Sequence, residues 1–320
     1  MNLQIFLKTP QALMTMSPAA VATFERMLAV GQCAFLSATV DEMLCGAAGV
    51  GRQQDWPLAP LAALADGLDT SADYVMFAQP VHLQLRRDSF TIASETLGLQ
   101  QAESEAFLTL LNQHFAGQGL TFMASPHCHH RWYVRLQSTP AIQTTAADVA
   151  VGRDIRPLLP RGRDAAFWNA FLNEVQMLLF DHPLNQAREA RGELAVSGVW
   201  VYGGGVLPAR PEATMPALFA EDAVARGLAI LHASLCHEVP QDVHSVLQSE
   251  APLVCLVPVE SAGAVVNDLP FLWQALRQGR LRHLELAIAM GDRVLQCKID
   301  KWDTWKFWRK SRPWTEVLGG

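Results

Sequence analysis

Apolar and polar positions change period several times along the chain, and the changes mark its elements. Met1–Leu7 alternates, and Leu3–Leu7 predicts a short strand. Ser17-Pro18 opens a helical pattern that runs to about Val30, with Ser capping free N–H groups and Pro accepted in the first turn. Pro57–Asp69 is rich in Ala and Leu and reads as a helix. Val81–Leu85 and Ser89–Ala93 alternate on either side of Arg86-Arg87-Asp88, which predicts a hairpin. Gln101–Phe115 places Phe107, Leu110, Leu111 and Phe115 on one helical face, and Gly117 closes it. Leu120–Met123 and Trp132–Leu136 read as strands. Asp164 is expected to cap the longest helix, whose apolar face is Phe167, Trp168, Phe171, Leu172, Val175, Leu178 and Leu179. Val196–Val201 is a strand that runs into three glycines, and Val224–Leu235 a helix. Leu253–Val259 is a strand apolar throughout, Leu269–Gln278 a helix, and Gly291-Asp292 the turn of a hairpin. Trp302–Lys310 is expected to form a basic aromatic helix.

Strands interleaved with helices indicate an α/β class. The stretch from 72 to 191 has its own hairpin, helices and strands and reads as an inserted unit, leaving 1–71 and 192–320 to form a core lobe. The 320 residues are half hydrophobic and carry a formal charge of −6, which excludes disorder. The acidic balance argues against bulk nucleic-acid binding. The apolar runs Pro252–Val259 and Leu284–Met290 are far shorter than the roughly 20 residues of a membrane span. With no cleavable signal pattern at the start, a cytoplasmic protein is expected. The six cysteines (33, 45, 128, 236, 255 and 297) contain no C-x-x-C pair, and reduced thiols are expected rather than a disulfide framework.

Five groups of residues carry candidate chemistry. Arg131, Arg135, Arg153, Arg156, Arg161, Arg163, Arg188 and Arg191 fall within about sixty residues without one Lys among them. Guanidinium forks grip carboxylate and phosphate at two points, so a pocket for a phosphorylated or carboxylated metabolite is one reading, and surface ion pairing the other. His127-Cys128-His129-His130 has zinc-binding side chains, but neighbours on a strand point to opposite faces, so a polar loop is expected. Asp181-His182-Pro183-Leu184-Asn185, followed by Arg188, sits where a helix must end and reads as a cap or a junction. Gly203-Gly204-Gly205 permits close backbone approach of a neighbour or ligand. Finally, the tail sets Trp302, Trp305, Phe307, Trp308 and Trp314 among Lys298, Lys301, Lys306, Arg309, Lys310 and Arg312. It either docks its aromatic face on the core or offers a site to a protein partner, a membrane surface or a single strand of nucleic acid.

Several of these phrases follow one another in a familiar order. Val151-Gly152-Arg153-Asp154-Ile155 leads to Leu159-Pro160-Arg161-Gly162, Leu172-Asn173-Glu174, His182-Pro183-Leu184-Asn185 and Arg188-Glu189-Ala190-Arg191-Gly192. Ser197-Gly198-Val199-Trp200-Val201-Tyr202-Gly203-Gly204-Gly205 closes the series. The succession, roughly Leu111–Gly205, resembles the archaeal-type cofactor-independent phosphoglycerate mutases of the alkaline phosphatase superfamily. Asp55-Trp56-Pro57-Leu58-Ala59-Pro60-Leu61, Pro80-Val81-His82-Leu83 and Phe307-Trp308-Arg309 are similar to a bacterial group of RpfE-type regulatory proteins. The resemblance implies an alkaline-phosphatase-like core, a mostly parallel sheet with helices on both faces, and an inserted cap-like α+β subdomain.

It also implies a two-metal site and a Ser nucleophile that takes the phosphoryl group. The chain departs from that chemistry at each point. The metal-binding Asp expected after the first strand is replaced by Lys8-Thr9-Pro10. No Ser or Thr lies between Thr39 and Thr70, and Cys45 is the only nucleophilic atom there. The motif Asp-x-Ala-Gly-His appears as Glu260-Ser261-Ala262-Gly263-Ala264. The expectation is a phosphoglycerate mutase-like pseudoenzyme with no metal or other cofactor, acting as a regulatory or metabolite-binding protein. Arg131, Arg153, His182, Asn185 and Arg188 are its candidate anion contacts, and no catalytic residue is assigned. The alternative is an active mutase, phosphotransferase or phosphatase. That would require two Mn²⁺ or Zn²⁺ held by ligands such as Asp41, Glu42, Asp55, Asp66, His127 or His129.

Overall fold

A computed structural model describes the chain apart from residues 71–72, 87–88, 95, 213, 240–242, 244–246, 248–252, 258 and 319–320. The chain divides into two compact units, one of Met1–Gly49 with Arg210–Gly320 and one of Val50–Ala209. The first opens with β1 (Asn2–Leu7), α1 (Pro18–Val30), β2 (Gln32–Leu36) and α2 (Val40–Ala47). The second begins with α3 (Leu58–Ala65), β3 (Tyr74–Val81), β4 (Leu83–Arg86), β5 (Ser89–Ile92) and α4 (Gln101–His114). It goes on through β6 (Leu120–Ala124), β7 (Trp132–Leu136), β8 (Ile142–Gln143), α5 (Ala147–Ala150) and β9 (Arg161–Gly162). It ends with α6 (Ala165–Leu179), α7 (Pro183–Ala190) and β10 (Gly198–Gly205). The chain returns to the first unit with β11 (Ala217–Phe219), α8 (Ala223–His232), β12 (Cys236–His237), β13 (Leu253–Val257) and α9 (Val259–Asn267). The last elements are α10 (Leu269–Gln278), β14 (His283–Ala289), β15 (Val294–Asp300) and α11 (Trp314–Leu318).

The first unit is built on a seven-stranded sheet in the order β12-β11-β13-β1-β14-β15-β2. β12, β11, β13, β1 and β14 run parallel, and β15 and β2 are added antiparallel. Leu3, Ile5 and Leu7 of β1 lie in register with Leu284, Leu286 and Ile288 of β14. These six residues share a buried core with Phe24 and Met27 of α1, Val265 of α9, and Leu272 and Leu276 of α10. The strand alternation read from Met1–Leu7 therefore carries a buried face against helices, as the pleat requires. Ser17 caps α1 through its side chain, 3.3 Å from the Ala20 N–H, with Pro18 in the first turn.

The second unit carries the four-stranded antiparallel sheet β10-β3-β7-β6. Phe107 and Leu111 of α4 and Trp168, Phe171 and Val175 of α6 bury against Met76, Trp132, Val134 and Val201 of the sheet. α3 packs on β10 and β3. The three glycines are explained here by protein neighbours. A Cβ on Gly204 would sit 2.5 Å from the Tyr74 hydroxyl, and one on Gly205 2.6 Å from Pro57 Cβ, ahead of α3. The β10–β3 register shifts at the same place, between Tyr202 and Gly205.

Several expectations are corrected. Antiparallel pairings outnumber parallel ones among the described strands, so the mostly parallel sheet is not the arrangement of the chain as a whole. α3 and β10 belong to the second unit, because β10 pairs with β3, so that unit begins at Val50 and ends at Ala209 rather than spanning 72–191. The hairpin β4–β5 forms, with Arg86 paired to Ser89 inside its ladder, and Arg87 and Asp88 of its turn lie outside the described residues. Asp164 stands at the N-cap position of α6, but its side chain makes no capping bond: its carboxylate accepts from Ala141 N–H at 2.7 Å, and Phe167 is exposed.

The tail does not form the expected helix. A 3₁₀ turn spans Lys301–Trp305, and α11 begins only at Trp314. Trp302, Trp305, Phe307 and Trp308 are exposed, and Trp314 alone of this group packs on the core. Cys33 and Cys297 face each other across β2 and β15 and are joined by a disulfide, against the expectation of reduced thiols. Their separation of 264 positions hides the pairing from any spacing rule. Cys45, Cys128 and Cys236 are free, and the side chain of Cys255 lies outside the described residues. No helix among the described residues is long and apolar enough to cross a membrane.

Candidate functional site

In a parallel sheet the residues that follow the strands' C-terminal ends are where loops gather chemistry. In the first unit that place is taken by Lys8, directly after β1. Its ammonium lies 2.8 Å from an Asp41 carboxylate oxygen and 2.8 Å from an Asp222 oxygen. Both carboxylates are fixed by helix starts. Asp41 stands in the first turn of α2, whose Thr39 and Glu42 form a reciprocal capping box. Asp222 is the N-cap of α8 and accepts from the N–H groups of Val224 and Ala225 at 2.8 and 3.2 Å. All three side chains are less than a third exposed.

The electrostatics of this group are one-sided. Burial works against the Lys8 ammonium, but Asp222 and Asp41 outweigh it and hold the group well above its ordinary range. Burial likewise opposes the Asp222 carboxylate, and Lys8 together with the α8 N–H groups brings it below its ordinary value. Cys45, one turn beyond Asp41 on α2, is pushed far up by burial and by the Asp41 and Asp222 charges. Its thiol stays protonated, so it is no substitute for an activated nucleophile.

These donors do not fit a divalent cation. An ammonium already occupies the space between the two carboxylates, and among the described residues no three His, Cys, Asp or Glu side chains are placed to hold a metal ion. The other ligands considered are engaged elsewhere. Glu42 accepts from the Thr39 N–H at 2.9 Å. In the second unit, Asp55 receives the N–H and hydroxyl of Thr144, and Asp66 receives the Tyr133 hydroxyl at 2.6 Å with Arg131 Nε at 3.7 Å. His127 and His129 belong to the turn between β6 and β7.

The candidate anion contacts fall in three places of the second unit. His182, Asn185 and Arg188 come together around α7. His182 is the N-cap, its Nδ1 accepting from Leu184 N–H at 3.3 Å, rather than the C-terminal cap of the preceding helix. Asn185 is buried and bonded to Leu179 O, Val196 O and Val196 N–H. Arg188 is 1 % exposed; it donates to Glu103 at 2.7 Å and to Leu194 O at 2.9 Å, with Glu193 at 3.3 Å. These contacts are all made within the fold. Arg131 stands beside Asp66, and Arg153 is exposed in the turn after α5. Arg131, Arg135, Arg156, Arg163, Arg188 and Arg191 each have a carboxylate within 4.0 Å, so much of the arginine-rich stretch is internally paired.

Sequence reasoning noticed Lys8 only as the absence of a carboxylate and did not single out Asp222. The signal for Asp41 was present: Thr39-x-x-Glu42 is a helix-start pattern, and it places Asp41 in the first turn.

Residues 58–185 match the profile of the family described as 2,3-bisphosphoglycerate-independent phosphoglycerate mutase. A 2,3-bisphosphoglycerate-independent phosphoglycerate mutase of Methanosarcina mazei is 24% identical over 151 residues, 47% of this chain. The match spans 37% of that protein's length. Among solved structures, a cofactor-independent phosphoglycerate mutase from Thermoplasma acidophilum aligns with a TM-score of 0.42 at 16% identity, over 93% of this chain and 89% of that one. A protein from Pyrococcus horikoshii aligns with a TM-score of 0.44 at 13% identity, over 93% and 87%.

Proposed function

We propose that this chain is a phosphoglycerate mutase-like protein in which the two-metal centre has given way to an ion-paired lysine, and that it works as a non-catalytic regulatory or metabolite-binding protein of the RpfE type. The observation that carries the reading is the Lys8 ammonium seated between Asp41 and Asp222 at the end of β1. Phosphoryl transfer by a cation pair needs positive charge on the transferring phosphate and a hydroxyl whose proton has been made easy to lose. Here the positive charge is a single ammonium, already neutralised by two carboxylates. The thiol of Cys45, one turn beyond Asp41, is held in its protonated form. The similarity over residues 58–185 lies in the second unit, away from these residues in sequence. Such a protein can keep a surface for a phosphorylated or carboxylated metabolite without turning it over. Arg153, exposed, and Arg131, partly so, are the contacts proposed for it, while His182, Asn185 and Arg188 hold the framework.

The test is a metal titration and an activity assay on the same preparation. After dialysis against Mn²⁺ or Zn²⁺ and removal of free ion, the expected result is no stoichiometric uptake at a paired site. No conversion of 3-phosphoglycerate is expected in a coupled assay. Two tightly bound ions per chain with turnover would overturn the proposal and establish the active reading.

A further inference from the structure

The turn between β6 and β7 holds a second group of reactive side chains, outside the site just described. Ser125 N–H donates to Arg131 O at 2.9 Å, Arg131 N–H to Cys128 O at 3.0 Å, and His127 N–H to Ser125 Oγ at 3.1 Å. These bonds close the backbone of the turn over residues 125–131. Cys128 is partly buried, and its Sγ lies 3.3 Å from His130 Nε2. The Arg131 guanidinium is close enough for its charge to favour the thiolate, while its Nε stands 3.7 Å from Asp66, which in turn takes the Tyr133 hydroxyl. The sulfur thus faces an imidazole and a guanidinium that is itself anchored from behind. The other described free thiols have different surroundings: Cys45 is buried against carboxylates, and exposed Cys236 donates to Ala220 O at 3.5 Å.

From this geometry we infer that Cys128 is a thiolate site that reacts with hydroperoxides, with His130 as its proton partner and Arg131 as its charge partner. Burial alone would push the thiol up, but His130 and Arg131 more than offset it and bring it to about 7. The thiol proton passes to the imidazole. The sulfur then attacks one peroxide oxygen, so an S–O bond forms as the O–O bond breaks. Sulfur is oxidised by two electrons to the sulfenic acid and the peroxide is reduced. The departing alkoxide or hydroxide takes the proton from His130 and leaves as alcohol or water, stabilised as it forms by the Arg131 donors.

The experiment treats the intact protein with less than one equivalent of hydrogen peroxide in the presence of dimedone and maps the adducts by mass spectrometry. In parallel, the rate of iodoacetamide labelling at Cys128 is followed from pH 5.5 to 9.5. Most dimedone is expected on Cys128, with a labelling midpoint near pH 7. His130→Asn should raise the midpoint and slow labelling at pH 7 by about five-fold, the change in thiolate fraction for a shift of about one unit. A midpoint at the ordinary thiol value of about 8.5 would overturn the inference. So would dimedone shared evenly between Cys128 and Cys236. If His130→Asn fails to fold, the unmodified protein's midpoint and adduct map decide the matter alone.

Discussion

Replacing Lys8 with Met should lower the stability of the first unit by about 2–4 kcal/mol, the usual cost of breaking a largely buried ion pair from one side. The methionine fills much of the lysine's volume, so the loss reports charge rather than a cavity. It leaves the Asp41 and Asp222 carboxylates as like charges at the starts of α2 and α8. The N–H groups that Asp222 accepts are a partial compensation, which keeps the estimate below the full cost for a buried charge. The pH dependence has a definite sign. In the native protein the Asp222 carboxylate sits below its unfolded value of about 3.9, so its contribution is complete above that value and is lost as pH falls through the depressed one. Lys8 sits above its unfolded value of about 10.4, so its contribution is complete below that and is lost as pH rises through the raised one. Between roughly pH 5 and 10 both are intact. In Lys8→Met the carboxylates have lost their partner. The deficit relative to the native protein should therefore be largest at neutral pH and shrink as the pH drops below about 4. Adding Asp41→Asn to Lys8→Met should restore part of the loss, making the double variant less damaged than the sum of the single ones. Thermal melts followed by circular dichroism across pH 3–9 read all three outcomes. A deficit independent of pH would show that the three groups do not act as one electrostatic unit.

The elements that could be read from the chain were those whose signal is local. Ser17-Pro18, the Gln101–Phe115 periodicity and the Gly291-Asp292 turn depend on residues a few positions apart, and each appears where expected. What escaped depends on distant partners. Lys8 meets Asp222 across 214 positions and Cys33 meets Cys297 across 264. No spacing rule joins residues that only the sheet order brings together. β10 was placed with the wrong unit for the same reason, since its partner β3 lies more than a hundred residues earlier. The tail erred in the other direction. Trp302, Trp305 and Trp308 have helical spacing, but a 3₁₀ turn and an irregular stretch follow β15, and the indoles stay exposed. Periodicity reports a helix only where the backbone is free to form one. The candidate arginines were recognised as a group, while their partners were not: Glu103 lies 85 positions before Arg188.

Arg188→Ala should be the most damaging single change in the second unit, at about 3–5 kcal/mol, because it strips a buried charge pair of one member. Arg188 is 1 % exposed and its guanidinium ties three segments: α7 on which it sits, Glu103 in the first turn of α4, and Leu194 O just before β10. Glu103 also accepts from the Gln100 N–H at 3.1 Å, so the same carboxylate helps to start α4. Removing the guanidinium leaves that carboxylate facing Glu193 with only the half-exposed Arg191 to hold both. Lysine should rescue poorly. One ammonium lacks the planar fork that reaches Leu194 O through Nε and Glu103 through Nη1 at once. Arg191→Ala, at the surface, should change the melting midpoint little, because water takes over its contacts. The comparison separates two roles that the sequence leaves open. A ligand-binding arginine removed from a sound framework would leave the melt nearly unchanged and weaken only the binding of an added phosphorylated metabolite. Arg188→Ala is expected to do the reverse, lowering the melting midpoint sharply even with no ligand present. An unchanged melt would return Arg188 to the list of anion contacts and require another explanation for a guanidinium buried this deeply between two glutamates.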